Sequence, residues 1–256
     1  MHYRMMTVAV LGLLLVAGCS NQPQDNAGDN FSVVEASFAQ MRAAMANGSV
    51  TSEEGVAEYL ARFERYEDTL GATLAINPRA LEEARQLDRE RAAGQVRGPL
   101  HGIPVALKDN IHTTNMPTTG GALAFENYTP PYEATLVRNL RDAGAIIIAK
   151  TTLTELANWV ATGMPNSYNA IRGYGYNPYD ARPDPREGID DGRAVLDTGG
   201  SSSGIGTAAN LWAANIGTET SGSIQFPSNN NKLVAIKPTV GRISRHGIIP
   251  ITADQD

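Results

Sequence analysis

Three stretches of this 256-residue chain hold residues able to act on a carbonyl group. Lys108 closes the apolar run Ile103-Pro104-Val105-Ala106-Leu107 and is followed by Asp109-Asn110. Gly199-Gly200-Ser201-Ser202-Ser203-Gly204 is a cluster of small residues, and Ser223 stands at the end of Thr220-Ser221-Gly222-Ser223. A serine is a weak nucleophile until a base takes its proton, and the oxyanion it generates needs donors such as backbone amides in a bendable segment. A lysine at a buried strand end could be that base, since burial favours its neutral form. Singly, each feature has a plainer reading: Gly/Ser-rich stretches are mostly turns, and strand-end lysines are mostly solvated charges. A phosphate-cradling loop fits 199–204 poorly, because no Gly-Lys-Ser/Thr follows the glycines. His101, His112 and His246 lack a Gly-x-Ser-x-Gly elbow to serve and read as structural or surface residues.

The elements that must position these groups follow from periodicity. Val34, Phe38, Met41 and Met45 recur at helical spacing up to Asn47-Gly48. Thr51-Ser52-Glu53-Glu54 reads as a capping box for a second helix with the stripe Val56, Leu60 and Phe63. A short strand over 72–76 ends at Asn77-Pro78, and a helix through Leu81, Ala84 and Leu87 stops at Gly94. The run 103–107 predicts a strand, 132–143 a helix stopped by Gly144, and 145–149 a strand buried on both faces. A further helix is expected to start near Thr152. Strands separated by helices imply an α/β fold with a largely parallel sheet. Residues 163–198 break the rhythm as a long loop, of the kind usually functional or mobile. Within it, Tyr174, Tyr176 and Tyr179 read as packing or loop anchors rather than as the mouth of a substrate site.

Composition narrows the function. An apolar content of 42% supports a sizeable core in one large domain or two small ones. A formal charge of −6 argues against nucleic acid as the main partner. One cysteine excludes an internal disulfide, and four scattered histidines argue against a zinc site. Residues 1–19 join a basic Arg4, an apolar run from Thr7 to Val16 and small residues before Cys19. That run is too short for a hydrocarbon core of about 30 Å, so it reads as a secretory signal. Leu15-Val16-Ala17-Gly18-Cys19 resembles a bacterial lipobox, which implies cleavage before Cys19 and attachment to the membrane through lipid on its sulfur. The expected division is a signal over 1–18, a polar tether over 19–30 and a partial catalytic domain over 31–256. The location would be the cell envelope, with Ser20 leaning towards the outer membrane of a two-membrane host.

A series of longer motifs runs in order along the chain. It comprises Gly98-Pro99-Leu100-His101-Gly102 leading through 103–107 into Lys108-Asp109-Asn110, then Asp142-Ala143-Gly144-Ala145 to Lys150-Thr151, and the 199–204 cluster. Gly217-Thr218-Glu219-Thr220-Ser221-Gly222-Ser223-Ile224 and Lys237-Pro238-Thr239-Val240-Gly241-Arg242 complete it. Together these resemble the amidase signature family over nearly the whole mature length. The resemblance implies a mixed, largely parallel central sheet flanked by helices, and a Ser–cis-Ser–Lys triad. Ser223 would be the nucleophile, Ser201 the bridging serine after a cis peptide from Gly200, and Lys108 the neutral base. Amides of Thr220, Ser221 and Gly222 would form the oxyanion hole. No metal or cofactor is implied. Glu219 to Ser223, together with Arg245-His246-Gly247-Ile248-Ile249-Pro250, is similar to amidases that act on peptide C-terminal amides, so the expected substrate is a small-molecule or peptide amide.

Two departures from the family pattern are visible. Ser201 and Ser223 lie 22 residues apart, two fewer than the family commonly places between these serines, and the shortfall falls between Ser203 and Asn210. Removing two residues from a helix turns the downstream chain by roughly 200° and shifts it by about 3 Å. Family domains also run well beyond 256 residues, so the C-terminal part of the fold is expected to be absent here. Uncovered strand edges and apolar surface would then make the chain poorly soluble or inactive as written. Two alternatives stand beside the amidase reading: a non-catalytic lipoprotein that keeps the fold, and a glutamyl-tRNA amidotransferase-like subunit, which the signal and the charge oppose.

Overall fold

The computed structural model describes residues 31–161, 163–189, 191–200 and 203–256. The signal, Cys19, the tether, Ser201 with its preceding peptide bond, and Ser202 lie outside them. Helix α1 (Phe38–Asn47) is capped by Ser37 and closed by left-handed Gly48, and it buries Met41 and Met45. Helix α2 (Ser52–Leu70) opens on the expected capping box, with the Glu54 amide donating to Thr51 Oγ1 at 3.0 Å and the Thr51 amide to Glu54 Oε2 at 2.8 Å. It buries Val56, Tyr59 and Phe63. Strand β1 (Thr73–Ile76) and helix α3 (Ala80–Ala92) follow, and Gly94 takes the left-handed conformation just past the helix end.

The central strand β2 (Pro104–Lys108) is buried at every residue. Helix α4 (Thr135–Asp142) crosses from it to β3 (Ile146–Thr151), which is also buried throughout. Later come α5 (Ser203–Ala208), β6 (Ala214–Ile216) and α6 (Gln225–Asn230). The sheet order is β1-β3-β2-β6; β1 is antiparallel to β3, while β3 and β6 both run parallel to β2. This is the mixed, largely parallel sheet flanked by helices that the motifs imply. The register places Leu107 beside both Lys150 and Ile216, so the C-terminal ends of three parallel strands converge. In open α/β sheets that edge is where ligands bind. No helix among the described residues is long and apolar enough to cross a membrane.

Three expectations change. The helix proposed from Thr152 is absent: Glu155–Asn158 form a 3₁₀ turn in which Leu156, Ala157 and Asn158 have φ of 45°, 58° and 64°. Its polar groups bond outward instead, with the Leu156 amide on Gly120 O at 2.7 Å, the Thr154 amide on Gly200 O at 2.8 Å and Asn169 Nδ2 on Thr152 Oγ1 at 2.7 Å. Long-range bonds here outweigh local helical ones. Helix α4 starts three residues later than its pattern, because the Ala134 and Thr135 amides donate to His112 O and His246 O and hold the entry extended. Residues 163–198 are more ordered than a bare loop. They form a ribbon of β4 (Tyr168–Asn169) and β5 (Gly173–Tyr174), followed by bridges Asn177–Asp180 and Pro183–Ala194.

The stretch between Ser203 and Asn210, where the serine spacing falls short, is the six-residue α5 followed by left-handed Asn210 at φ 52°. Arg62 anchors that turn, donating to Asn210 O at 2.6 Å and Ala209 O at 2.7 Å. Gly206 is required there, since a Cβ on it would lie 2.0 Å from the buried Trp212 ring.

Candidate active site

The strand that carries Lys108 is the one flanked on both sides by parallel neighbours, so its last side chain meets the segment leaving β6. Lys108 is 1% exposed. Its Nζ donates to Thr218 Oγ1 at 2.9 Å and to Thr218 O at 3.2 Å. Burial pushes the amine down to about 8, while the Asp256 and Glu219 carboxylates oppose that shift. Among the described residues no carboxylate lies within ion-pair distance of Lys108. Asn110, two residues on, donates from Nδ2 to Thr218 Oγ1 at 3.0 Å and to Ile249 O at 2.9 Å.

The neighbouring strand ends in a second buried lysine with the opposite arrangement. Lys150 Nζ lies 2.9 Å from Asp109 Oδ1, with both side chains at most 1% exposed, and it donates to Thr118 Oγ1 at 2.7 Å and Pro117 O at 2.9 Å. The other Asp109 oxygen accepts from the Thr119 amide at 2.9 Å and from its hydroxyl at 2.5 Å. Lys108, the last residue of β2, thus has no acidic ion-pair partner among the described residues, while Asp109, just past the strand, supplies the carboxylate that neutralises Lys150.

Ser223 is half-buried and lines a cleft of about 590 Å³ together with Thr218, Glu219, Ile224 and Asp256. Apolar Leu136, Val234, Ile236, Val240 and Ile243 also line it. The segment that carries Ser223 is held at two points. Buried Glu219 accepts from the Ile224 and Gln225 amides at 2.7 and 2.8 Å and from Gln225 Nε2 at 2.5 Å. Burial raises the Glu219 carboxyl, but these donors and Lys237 outweigh it and leave the group below its ordinary value. Thr220 donates its hydroxyl to Asp256, whose other oxygen accepts the Ile251 and Thr252 amides, each at 2.7 Å.

Thr220, Ser221 and Gly222 precede Ser223 in a turn, and none of their amides donates to a protein acceptor among the described residues. Gly222 has φ 119°, and a Cβ there would lie 2.5 Å from the Phe226 ring, so the tight bend excludes side chains. Gly199 and Gly200 are left-handed as well, at φ 85° and 81°. Thr154 fixes the carbonyl of Gly200, its hydroxyl donating at 2.6 Å and its amide at 2.8 Å.

The structure therefore brings Lys108 to the segment leading into Ser223, through Thr218, and sets Ser223 on the cleft. Ser201 and Cys19 fall outside the described residues. His101 is structural, with Nε2 on Leu87 O at 2.9 Å and Nδ1 accepting from the Arg97 amide at 3.1 Å. His112 packs edge-on against Tyr132 and His246 stacks on it, each at 5.2 Å between ring centroids. Tyr176 anchors its loop through a bond to Gly192 O at 2.9 Å, and Tyr174 packs on Tyr168 at 5.0 Å. Thr218, Asn110, Glu219, Asp256 and the Asp109–Lys150 pair have roles that the sequence reading did not assign. One signal was available: a strand buried on both faces that ends in lysine calls for a carboxylate, and Asp109 is placed to supply it.

Known proteins of similar sequence and fold identify the family of the chain. The profile of the Amidase family matches residues 54–256. The crystal structure of native peptide amidase from Stenotrophomonas maltophilia superposes with a TM-score of 0.76 and 42% identity, over 85% of this chain and 43% of that one. Peptide amidase in complex with the competitive inhibitor chymostatin superposes at 0.77 with 42% identity, over 87% and 44%. A glutamyl-tRNA(Gln) amidotransferase subunit from Thermobifida fusca is 37% identical over 227 residues, which is 88% of this chain and 42% of that protein. The chain spans less than half the length of each of these three relatives. With a profile match over most of its residues and the lysine and serine motifs meeting at one sheet edge, the chain belongs to the amidase family.

Proposed function

We propose that the protein hydrolyses amide bonds, peptide C-terminal amides among them, through an acyl-enzyme on Ser223. In this reading Ser223 Oγ attacks the amide carbonyl as its proton passes to the Ser201 hydroxyl, while the Ser201 proton passes to the lone pair of neutral Lys108. The carbonyl π electrons move onto oxygen, where the amides of Thr220, Ser221 and Gly222 stabilise the charge. Protonated Lys108 returns a proton through Ser201 to the leaving nitrogen, and the C–N bond breaks. Water then attacks the ester under the same base and releases the carboxylic acid.

The observation that carries this reading is Lys108 itself: buried, bonded to Thr218 and without an acidic ion-pair partner among the described residues, it is held down at about 8, where a useful fraction is neutral. The likeness to peptide amidase, one structure of which holds a competitive inhibitor, supports a peptide amide as substrate. The likeness to an amidotransferase subunit supports a second reading, but the net charge of −6 opposes a tRNA-bound substrate. Anchoring at the cell envelope through lipidated Cys19 is part of the proposal and rests on residues 1–19. A fluorophosphonate probe tests the nucleophile. It is expected to label one peptide, the one containing Ser223, and to leave the Ser223→Ala protein unlabelled. Labelling elsewhere, or equal labelling of the variant, would contradict the assignment.

A further inference from the structure

Both hydrogen bonds described for Lys108 end on one residue, the hydroxyl of Thr218 at 2.9 Å and its carbonyl at 3.2 Å. A neutral amine has two N–H bonds and one lone pair. With both N–H bonds on Thr218, the lone pair is confined to the remaining tetrahedral direction. The Thr218 hydroxyl also accepts from Asn110 Nδ2 at 3.0 Å, and that same nitrogen is tied to Ile249 O at 2.9 Å. A hydroxyl oxygen has two acceptor sites, so Lys108 and Asn110 fill both. Thr218 therefore has no acceptor site left for a travelling proton, and it serves the base by orienting it.

We propose that Thr218, itself locked by Asn110, is a positioning residue that aims the lone pair of Lys108 for proton transfer during amide hydrolysis. This rests on Lys108 being the base. The charged groups around Lys108 are Glu219 on the segment after β6, Asp256 on the last segment, and on the β3 side Lys150, neutralised by Asp109 at 2.9 Å. None of them lies within ion-pair distance of Lys108 among the described residues, so Thr218 sets its direction.

The test is steady-state hydrolysis of a peptide amide as a function of pH by the purified protein and three variants. Thr218→Val is expected to lower kcat by about 10- to 100-fold with little change in KM, as misaimed groups do. The acid limb of kcat/KM should also move to lower pH by about one unit, because the lost oxygen holds the ammonium more strongly than the neutral amine. Thr218→Ser keeps the oxygen and should restore most of kcat and the original midpoint. Asn110→Ala frees the hydroxyl and should lower kcat without moving the midpoint. A folded Thr218→Val protein with unchanged kcat and midpoint would overturn the proposal, as would Thr218→Ser impaired as badly as Val. If the valine variant does not fold, full kcat in Asn110→Ala overturns it. A parent protein with no Ser223-dependent hydrolysis would remove the base assignment and this proposal together, a result distinct from a normal parent with indifferent variants.

Discussion

Replacing Lys108 with methionine is expected to abolish hydrolysis while leaving the protein as stable as before or more stable. The two effects share one cause. Burial holds the Lys108 amine at about 8, against an ordinary value of 10.5. A shift of that size corresponds to about 3 kcal/mol of stability forgone below both values. The sign follows from linkage: the unfolded chain binds the proton more tightly, so stability rises with pH through the window from about 8 to 10.5 and is lower beneath it. Methionine fills the same space without charge. The Thr218 hydroxyl keeps its bond from Asn110 at 3.0 Å, whereas the Thr218 carbonyl loses the lysine donor at 3.2 Å, a cost that offsets part of the gain. The variant should therefore unfold at an equal or higher denaturant midpoint, up to about 3 kcal/mol more stable, and lose the rise in stability above about pH 8. Its turnover should fall by at least about 10³-fold, because the step that activates Ser223 has lost its acceptor. A strongly destabilised variant would mean that the lysine is structural.

The neighbouring lysine should behave in the opposite way. Lys150→Met leaves the Asp109 carboxylate at most 1% exposed with no cation 2.9 Å away. Breaking a buried pair from one side costs about 3–5 kcal/mol, because the buried charge loses its cation and keeps only the two Thr119 donors. Chemical denaturation should show that loss. Adding Asp109→Asn should recover a substantial part of it, since the second change removes the stranded charge. A Lys150→Met protein within about 1 kcal/mol of the parent would show that the pair is not held charged in the fold. Two lysines side by side at the ends of adjacent strands thus make opposite predictions, and the difference is the presence or absence of one carboxylate.

The parts of the fold that were readable in the sequence were those fixed by local chemistry. Thr51 and Glu54 cap α2 as their spacing requires, Gly48 and Gly144 stop their helices, and the all-apolar run before Lys150 is a strand buried on both faces. The stretch after Thr152 was not readable, because its helical pattern is overruled by bonds to Gly120, Asn169 and Gly200, all distant in sequence. The same distinction runs through the candidate site. Lys108 and Ser223 are marked by their flanking residues, an apolar run in one case and a bendable one in the other. Thr218 and Asn110 gain their roles only when β6 lies beside β2, and Asp256 gains its role when the last segment returns to Thr220. Residue type reveals a group that does chemistry, while the groups that aim it depend on strand order.

The central claim is that a lysine, neutral because it is buried, draws the proton from Ser223. The most direct measurement is the rate at which a fluorophosphonate modifies Ser223 as pH is raised from about 6 to about 10. The account predicts a rate that climbs with pH and is half-maximal near 8, the value to which burial brings Lys108. A rate that is flat across that range, or one that begins to rise only near the ordinary lysine value of 10.5, would contradict it.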